Sequence, residues 1–310
     1  MRVLLALGGN AMTNAAGRAA PQDQIAAAAV AMEAVAGLLE RDVEVLITHG
    51  NGPQVGNLLT KNELAASVVP PVPLDWCGAQ TQATVGFVLM NALDAALVRR
   101  GIRRRTAAVV TRTLVASDDS GFIRPTKPIG RHLPAEEAEV LIGHGQTWED
   151  RGKGWRRVVA SPEPLDIIDG PVVRSLVEAG FVVVANGGGG IPVVREPDGS
   201  LRGIEAVIDK DLGAALLADT VGADVLVIGT DVPHAVLNYG TPDAKDVGTV
   251  TAGQLRAFAA EGHFASGSMG PKVEAACRFV ERGGTRAVIT DLDHIATAVC
   301  GDAGTVVVAS

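Results

Sequence analysis

Arginine outnumbers lysine 21 to 6 in this chain of 310 residues, so each lysine invites its own explanation. Lys210 stands in Ile208-Asp209-Lys210-Asp211-Leu212, where Asp209 is suited to cap a helix. Lys272 ends Gly267-Ser268-Met269-Gly270-Pro271-Lys272, with Pro271 suited to the first position of another helix. A cation in a first helical turn opposes the macrodipole at a cost of about 0.3–1 kcal/mol each, so local stability prefers an acid at both places. The pair makes sense if both positive helix ends and both ammonium groups face a polyanion such as a nucleoside triphosphate. Two solvated surface lysines are the alternative. Lys127 lies between prolines in Arg124-Pro125-Thr126-Lys127-Pro128-Ile129-Gly130, which stiffens its segment, although spacing alone reads it as surface. Lys61, Lys153 and Lys245 have no comparable setting.

Three glycine clusters each follow an apolar run: Gly8-Gly9-Asn10, His49-Gly50-Asn51-Gly52-Pro53 and Asn186-Gly187-Gly188-Gly189-Gly190. In an open α/β sheet ligands bind beyond the carboxyl ends of the strands, so three such loops can converge on one crevice. Glycine lets backbone N–H groups approach an anion closely, and Pro53 suits the first turn of a helix. Any one cluster reads equally well as a tight turn; together they favour an anion site. A dinucleotide fingerprint does not fit, because Gly50-Asn51-Gly52 with Gly56 is one residue too long and the run 106–111 leads into Arg112 rather than an acid. G-x-x-x-x-G-K-[ST], H-E-x-x-H and G-x-S-x-G are all absent. His49 is placed to position its glycine loop. With no base or nucleophile to nominate, chemistry that runs on charge neutralisation and positioning is favoured, and phosphoryl transfer is of that kind.

These residues need a scaffold. Strands expected over 2–7, 43–48, 106–111, 181–185, 224–228, 286–290 and 305–309 alternate with helices over 22–40, 53–66, 79–100, 167–179, 211–221, 271–282 and 292–298. The alternation predicts an α/β fold, a three-layer αβα sandwich around a mostly parallel open sheet. Residues 112–165 interrupt it with a stretch rich in Gly, Pro and Arg, and Phe122, Ile123, Trp148 and Trp155 mark this as a small ordered subdomain that protrudes as a lid. A softer division follows Pro197-Asp198-Gly199, giving a lobe of 1–203 that carries the insertion and a lobe of 204–310.

Composition limits the partners. A charge of -8 and 3% aromatic residues argue against a nucleic-acid groove or base-stacking platform. Cys77, Cys277 and Cys300 form no C-x-x-C pair, which disfavours a disulfide framework or zinc knuckle and fits a reducing compartment. No apolar run approaches the roughly 18–20 residues that span a bilayer, and the short run after Met1-Arg2 falls short of a signal peptide. A cytoplasmic protein with no membrane and no nucleic-acid partner is expected.

The motifs resemble the amino-acid kinase superfamily and, within it, the carbamate kinase family. The likeness runs through Leu5-Ala6-Leu7-Gly8-Gly9-Asn10-Ala11, Thr48-His49-Gly50-Asn51-Gly52-Pro53-Gln54-Val55-Gly56-Asn57 and Pro125-Thr126-Lys127-Pro128-Ile129-Gly130. It continues through Val159-Ala160-Ser161-Pro162, Gly187-Gly188-Gly189-Gly190-Ile191-Pro192-Val193, Val207-Ile208-Asp209-Lys210-Asp211-Leu212 and Gly267-Ser268-Met269-Gly270-Pro271-Lys272-Val273-Glu274-Ala275. Acetylglutamate kinases carry a first-strand lysine where this chain has Ala6, whereas carbamate kinases bring a lysine from a protruding subdomain, which matches Lys127.

The resemblance implies reversible transfer between ATP and carbamate, giving ADP and carbamoyl phosphate with Mg²⁺, run by most relatives toward ATP synthesis. It implies that Gly8, Gly9, Asn10, Gly50, Asn51 and Gly52 offer donors to carbamate and the transferred phosphoryl group, in the lobe of 1–203. Lys210 and Lys272 would neutralise nucleotide phosphates in the lobe of 204–310, Lys127 would close over the reaction, Asp211 would orient the lysines, and Asp209 would cap its helix. Gly188, Gly189, Asp209, Asp231, Tyr239 and Met269 would also meet the nucleotide. Mg²⁺ would be held mainly through phosphate oxygens, with no protein ligand cluster, and the assembly would be a homodimer. One segment departs from the family: Ala79-Gln80-Thr81-Gln82-Ala83-Thr84-Val85-Gly86-Phe87 stands where relatives commonly read Ala-Met-Ser-Gln-Gly-Met-Ile-Gly-Tyr. If it lines the acceptor pocket, a different small carboxylate or phosphonate becomes the competing substrate. A non-catalytic nucleotide-binding module would be expected to lose one of Lys127, Lys210, Asp211 or Lys272, and none is lost.

Overall fold

The computed structural model describes residues 1–8, 12–13, 20–265 and 268–309. Eight strands form one sheet in the order Thr249–Thr251, Thr305–Val308, Arg286–Asp291, Val225–Thr230, Arg2–Leu7, Glu44–His49, Phe181–Val184 and Arg105–Ala108. Neighbours run parallel except for the antiparallel pair Arg286–Asp291 and Thr305–Val308. Continuous apolar runs such as Arg2–Leu7 suit strands covered on both faces, and nearly every residue of that strand is buried.

Two cores make the three layers. On one face, helices Pro21–Leu39, Leu74–Arg100 and Ile295–Ala298 pack Val35, Leu89 and Ile295 against Leu5, Ile47 and Val227. On the other, Gly170–Glu178, Lys210–Val221, Ala252–Ala260 and Met269–Glu281 pack Val173, Leu217, Leu255 and Phe279 against Leu4, Leu46 and Ile228.

Boundaries moved by a few residues at two helices that matter. The helix expected from 79 begins at Leu74, so Asp75 lies in its first turn. The helix expected from Pro271 begins at Met269, which makes Pro271 its third residue. By length and composition alone, Leu74–Arg100 could cross a membrane, contrary to the expectation that no such run exists. Its inner face, with Val85, Leu89 and Leu93, belongs to the first core and packs beside Pro21–Leu39.

The insertion is narrower than 112–165. Arg112–Leu114, at its expected start, and Asp166–Ile167, just past its expected end, pair with each other and join Ile191–Arg195 and Leu201–Gly203 in a separate four-stranded sheet. These strands of two to five residues carry too little pattern to be read in advance. Between those ends stands an antiparallel sheet of Lys127–Leu133, Trp155–Val159 and Trp148–Asp150, with helix Ala135–Gly143 beside it. Leu133, Ala138 and Trp148 form its core with Trp155 against them, whereas Phe122 packs with Val115, Val194 and Ile208 and Ile123 is exposed. Ile129 and Val159 seat the lid on Val55 and Leu59 of helix Gly52–Ala65 and on Leu74 and Cys77.

Candidate active site

The carboxyl ends of the central strands open onto a cavity of about 500 Å³. Gly8, Gly50, Asn51, Gly52 and Gly188 line it from the glycine loops, Lys127 from the lid, and Asp209, Lys210, Asp211 and Lys272 from two helix N-termini. Asp231, Tyr239 and Met269 line its far end. Gly9 and Asn10 lie outside the described residues. Gly189 does not line the cavity: it accepts a hydrogen bond at 2.9 Å from Thr113 Oγ1 behind the wall, so the role expected for it at the nucleotide is not supported.

The lysines are organised by carboxylates. Asp211, only 2% exposed, accepts from Lys210 Nζ on Oδ1 at 2.5 Å and from Lys272 Nζ on Oδ2 at 3.1 Å. Burial by itself would raise its pKa, but the two ammonium groups outweigh burial and hold it below the ordinary carboxylate value. The Lys210 pKa is lowered, first by burial and then by the nearby Lys272 charge, against the pull of Asp211. This answers the helix-end problem raised by the sequence: each cation opposes a helix dipole, and a shared buried anion compensates both. Asp209 caps helix Lys210–Val221 as expected, its Oδ1 accepting from the amides of Asp211 at 2.9 Å and Leu212 at 3.4 Å. Its other oxygen, Oδ2, accepts from Lys127 Nζ at 2.7 Å. Lys272 also reaches the Ser268 carbonyl at 3.4 Å.

The glycine loops are held from below. His49 is buried and donates from Nδ1 to the Gly50 carbonyl at 3.0 Å. Burial lowers its pKa to about 4, so the ring is neutral at physiological pH, and a neutral ring that donates from Nδ1 leaves Nε2 unprotonated. Gly187 rests on that ring, with room for no side chain, since a Cβ there would lie 2.3 Å from His49 Nε2. Gly188, at φ +68°, sits equally close over the Asn51 amide. Gly50 corrects one expectation: its amide donates to the Leu7 carbonyl at 2.9 Å, so it shapes the wall without offering a donor.

Asn51 Nδ2 donates to Thr81 Oγ1 at 2.9 Å, and Thr81 in turn donates to the Gly78 carbonyl at 2.7 Å, which fixes the orientation of the Asn51 amide. Gln82 clamps the neighbouring turns, accepting from the Thr111 amide at 2.8 Å and donating to the carbonyls of Gly187 at 3.0 Å and Thr111 at 3.2 Å. Ala83, Thr84 and Phe87 are exposed, and no residue of 79–87 lines the cavity. The departure from the family pattern therefore lies mostly on the outer face of Leu74–Arg100, at Gln80, Ala83, Thr84 and Phe87, with Val85 in the first core and Thr81 touching the site through Asn51.

Sequence reasoning missed His234, His263 and Phe264, which line the far end beside Tyr239 and Met269. No motif marks them; only their nearness to the 230–240 and 268–272 segments could have pointed there. Among the described residues no group of three or more His, Cys, Asp or Glu could hold a metal ion. Of the cavity carboxylates, Asp209 and Asp211 are engaged by lysines, while among the described residues Asp231 accepts the Thr230 hydroxyl at 3.1 Å and no cation.

The site gathers three ammonium groups and fixed backbone around one cavity, an arrangement suited to anions. Comparisons agree with such chemistry. The model of the amino acid kinase family matches residues 1–291. The chain is 46% identical over 313 residues to carbamate kinase of Thermococcus kodakarensis, with 99% of each covered. It is 42% identical over 309 residues to carbamate kinase of Pyrococcus furiosus, with 98% of each covered. Among solved structures it is similar to carbamate kinase from Giardia lamblia bound to AMP-PNP, with a TM-score of 0.93 and 38% identity over 100% of this chain and 98% of that one.

Proposed function

We infer that this chain, which belongs to the amino acid kinase family, transfers a phosphoryl group between ATP and carbamate, giving ADP and carbamoyl phosphate. The observation that carries this reading is the convergence of Lys127, Lys210 and Lys272 on one cavity, two of them held by a single buried carboxylate. A carbamate oxygen attacks the γ-phosphorus, the bond to the bridging oxygen breaks, and ADP carries that electron pair away. In the reverse direction a β-phosphate oxygen of ADP attacks carbamoyl phosphate, and we assign ATP synthesis as the direction used in the cell.

Charge is the main obstacle, because two anions must meet and the moving group spreads its charge over three oxygens. In this reading Lys210 and Lys272 neutralise the leaving phosphates, and both are preorganised by Asp211, so little reorganisation is needed during transfer. Lys127, from the lid, is placed to meet the transferring group. In this reading the Gly52 amide and the Asn51 side chain, which line the cavity, meet the acceptor, with the nucleotide in the lobe of 204–310 and carbamate in the lobe of 1–203. Mg²⁺ bound by the phosphates would add charge neutralisation. The donor set fits an ion that keeps water and phosphate ligands, with Asp231 as the cavity carboxylate not engaged by a cation among the described residues.

Assembly as a homodimer belongs to the same reading. Trp76, Phe87 and Val98 are spaced by three helical turns along the exposed face of Leu74–Arg100, exposed apolar side chains that a second copy could cover. We place the protein in the cytoplasm, where its three free cysteines suit a reducing environment.

The test mixes purified protein with carbamoyl phosphate, ADP and Mg²⁺ and follows ATP in a coupled assay, with Lys210→Ala as control. ATP formation that the substitution abolishes is expected. A folded, nucleotide-binding protein that makes no ATP would overturn carbamate as the acceptor.

A further inference from the structure

Asp209 does two things at once. One oxygen caps the helix that begins with Lys210, and the other holds the lid lysine Lys127 at 2.7 Å. Both side chains are largely withdrawn from solvent, 12% exposed for Asp209 and 31% for Lys127. The remaining ammonium groups are otherwise engaged, since Lys210 and Lys272 pair with Asp211. Lys127 has no other ion-pair partner among the described residues, so the direction its ammonium group takes over the cavity rests on this one contact.

The lid strand adds a second line of evidence. Residues two apart on a strand face the same side, and in Lys127–Leu133 the residue two beyond Lys127 is Ile129. Ile129 packs into the apolar seat made by Val55, Leu59, Leu74 and Cys77. The seat holds the lid down on the lobe of 1–203, but apolar contact is non-directional and leaves a flexible lysine free to swing. A charged hydrogen bond supplies the missing direction.

We propose that Asp209 is the positioning residue for the lid lysine, latching Lys127 over the reacting group and tying lid closure to the first turn that presents Lys210. The idea rests on the phosphoryl-transfer reading above. Asp209 does not touch the transferring atoms in this role; it acts through Lys127. When the transferring phosphoryl arrives, its oxygens compete for the same ammonium group, which stays within reach of both anions.

Asp209→Asn separates the two duties, because Asn caps a helix as well as Asp but carries no charge. The expected result is an unchanged melting temperature, a nearly unchanged KM for nucleotide, and a kcat lower by about 10²-fold, the penalty typical of a misplaced reacting group. Adding Lys127→Ala to Asp209→Asn should cost no more than Lys127→Ala alone, since both break one contact. Hydrogen exchange of the free protein gives a readout independent of turnover: amides of Lys127–Leu133 should exchange faster in Asp209→Asn and in Lys127→Ala by the same factor. Independent, multiplying losses in kcat, or an exchange rate unmoved by Asp209→Asn, would overturn the latch. A wild type that makes no ATP in the same assay would instead sink the phosphoryl-transfer reading, and the exchange comparison would still decide the latch.

Discussion

His49 offers a measurable pH dependence of stability. Its pKa is lowered from 6.5 to about 4, first by burial, partly restored by the Gly50 carbonyl, and lowered again by the charge of Lys210. The folded state therefore binds fewer protons than the unfolded state between those two values. Stability from this group is fully present above the unfolded pKa and is lost as pH falls toward the folded one. The whole effect is about 3 kcal/mol, of which about 2 kcal/mol is already gone at pH 5, before most carboxylates titrate. Urea unfolding of the wild type and His49→Asn at several values from pH 8 to pH 5 isolates this contribution. Asn keeps a donor where Nδ1 stands, so it retains the bond to the Gly50 carbonyl and removes only the titration and some volume. The stability gap between the two proteins should shrink by about 2 kcal/mol across that range. A gap that stays constant with pH would refute the reasoning, because it would mean that the imidazole titrates alike in both states.

Three further outcomes follow from the geometry. Lys272→Ala and Lys210→Ala should each lower kcat by about 10³-fold while leaving the fold intact, checked by steady-state kinetics and circular dichroism. Gly187→Ala places a Cβ against the buried His49 ring and should destabilise by about 3 kcal/mol in urea unfolding, whereas Gly145→Ser, on the open lid surface, should cost far less despite its positive φ. Trp76→Lys combined with Phe87→Glu should yield a monomer in sedimentation velocity at a concentration where the wild type is a dimer.

Much of the scaffold was legible because its strands are long apolar runs and its helices carry recognisable starts. Asp209 was readable as a cap from Ile-Asp-Lys-Asp-Leu alone, and the cap is there. The two helix-end lysines were readable as an anomaly in local electrostatics, and their convergence follows once the parallel sheet brings strand ends together. Other features depend on register and distant pairing. That the Gly50 amide is consumed by Leu7 follows from how one strand lies beside another, which no local signal encodes. The four-stranded sheet joins Arg112–Leu114, Asp166–Ile167, Ile191–Arg195 and Leu201–Gly203 across up to ninety residues, in pieces too short to show a period. Gly189 looked like its neighbours in a run of four glycines, yet only Gly188 of that pair faces the cavity. The outward placement of Ala83, Thr84 and Phe87 depends on the phase of a helix that starts five residues earlier than its apolar pattern suggests.

Gly187 over His49 and Gly188 over Asn51 form two interlocked contacts between loops more than a hundred residues apart in sequence. Each pair shares one fixed volume, so neither member can grow unless the other shrinks. Over evolutionary time that orders the changes: a lineage that enlarged Gly187 would have to shrink His49 first or pass through an unstable intermediate, while Gly188, at φ +68°, stays fixed whatever happens to Asn51. Residues on the open face of the lid, such as Lys153, carry no such tie. The floor of the site should therefore be the slowest part of this protein to change, with the lid surface the part on which divergence accumulates.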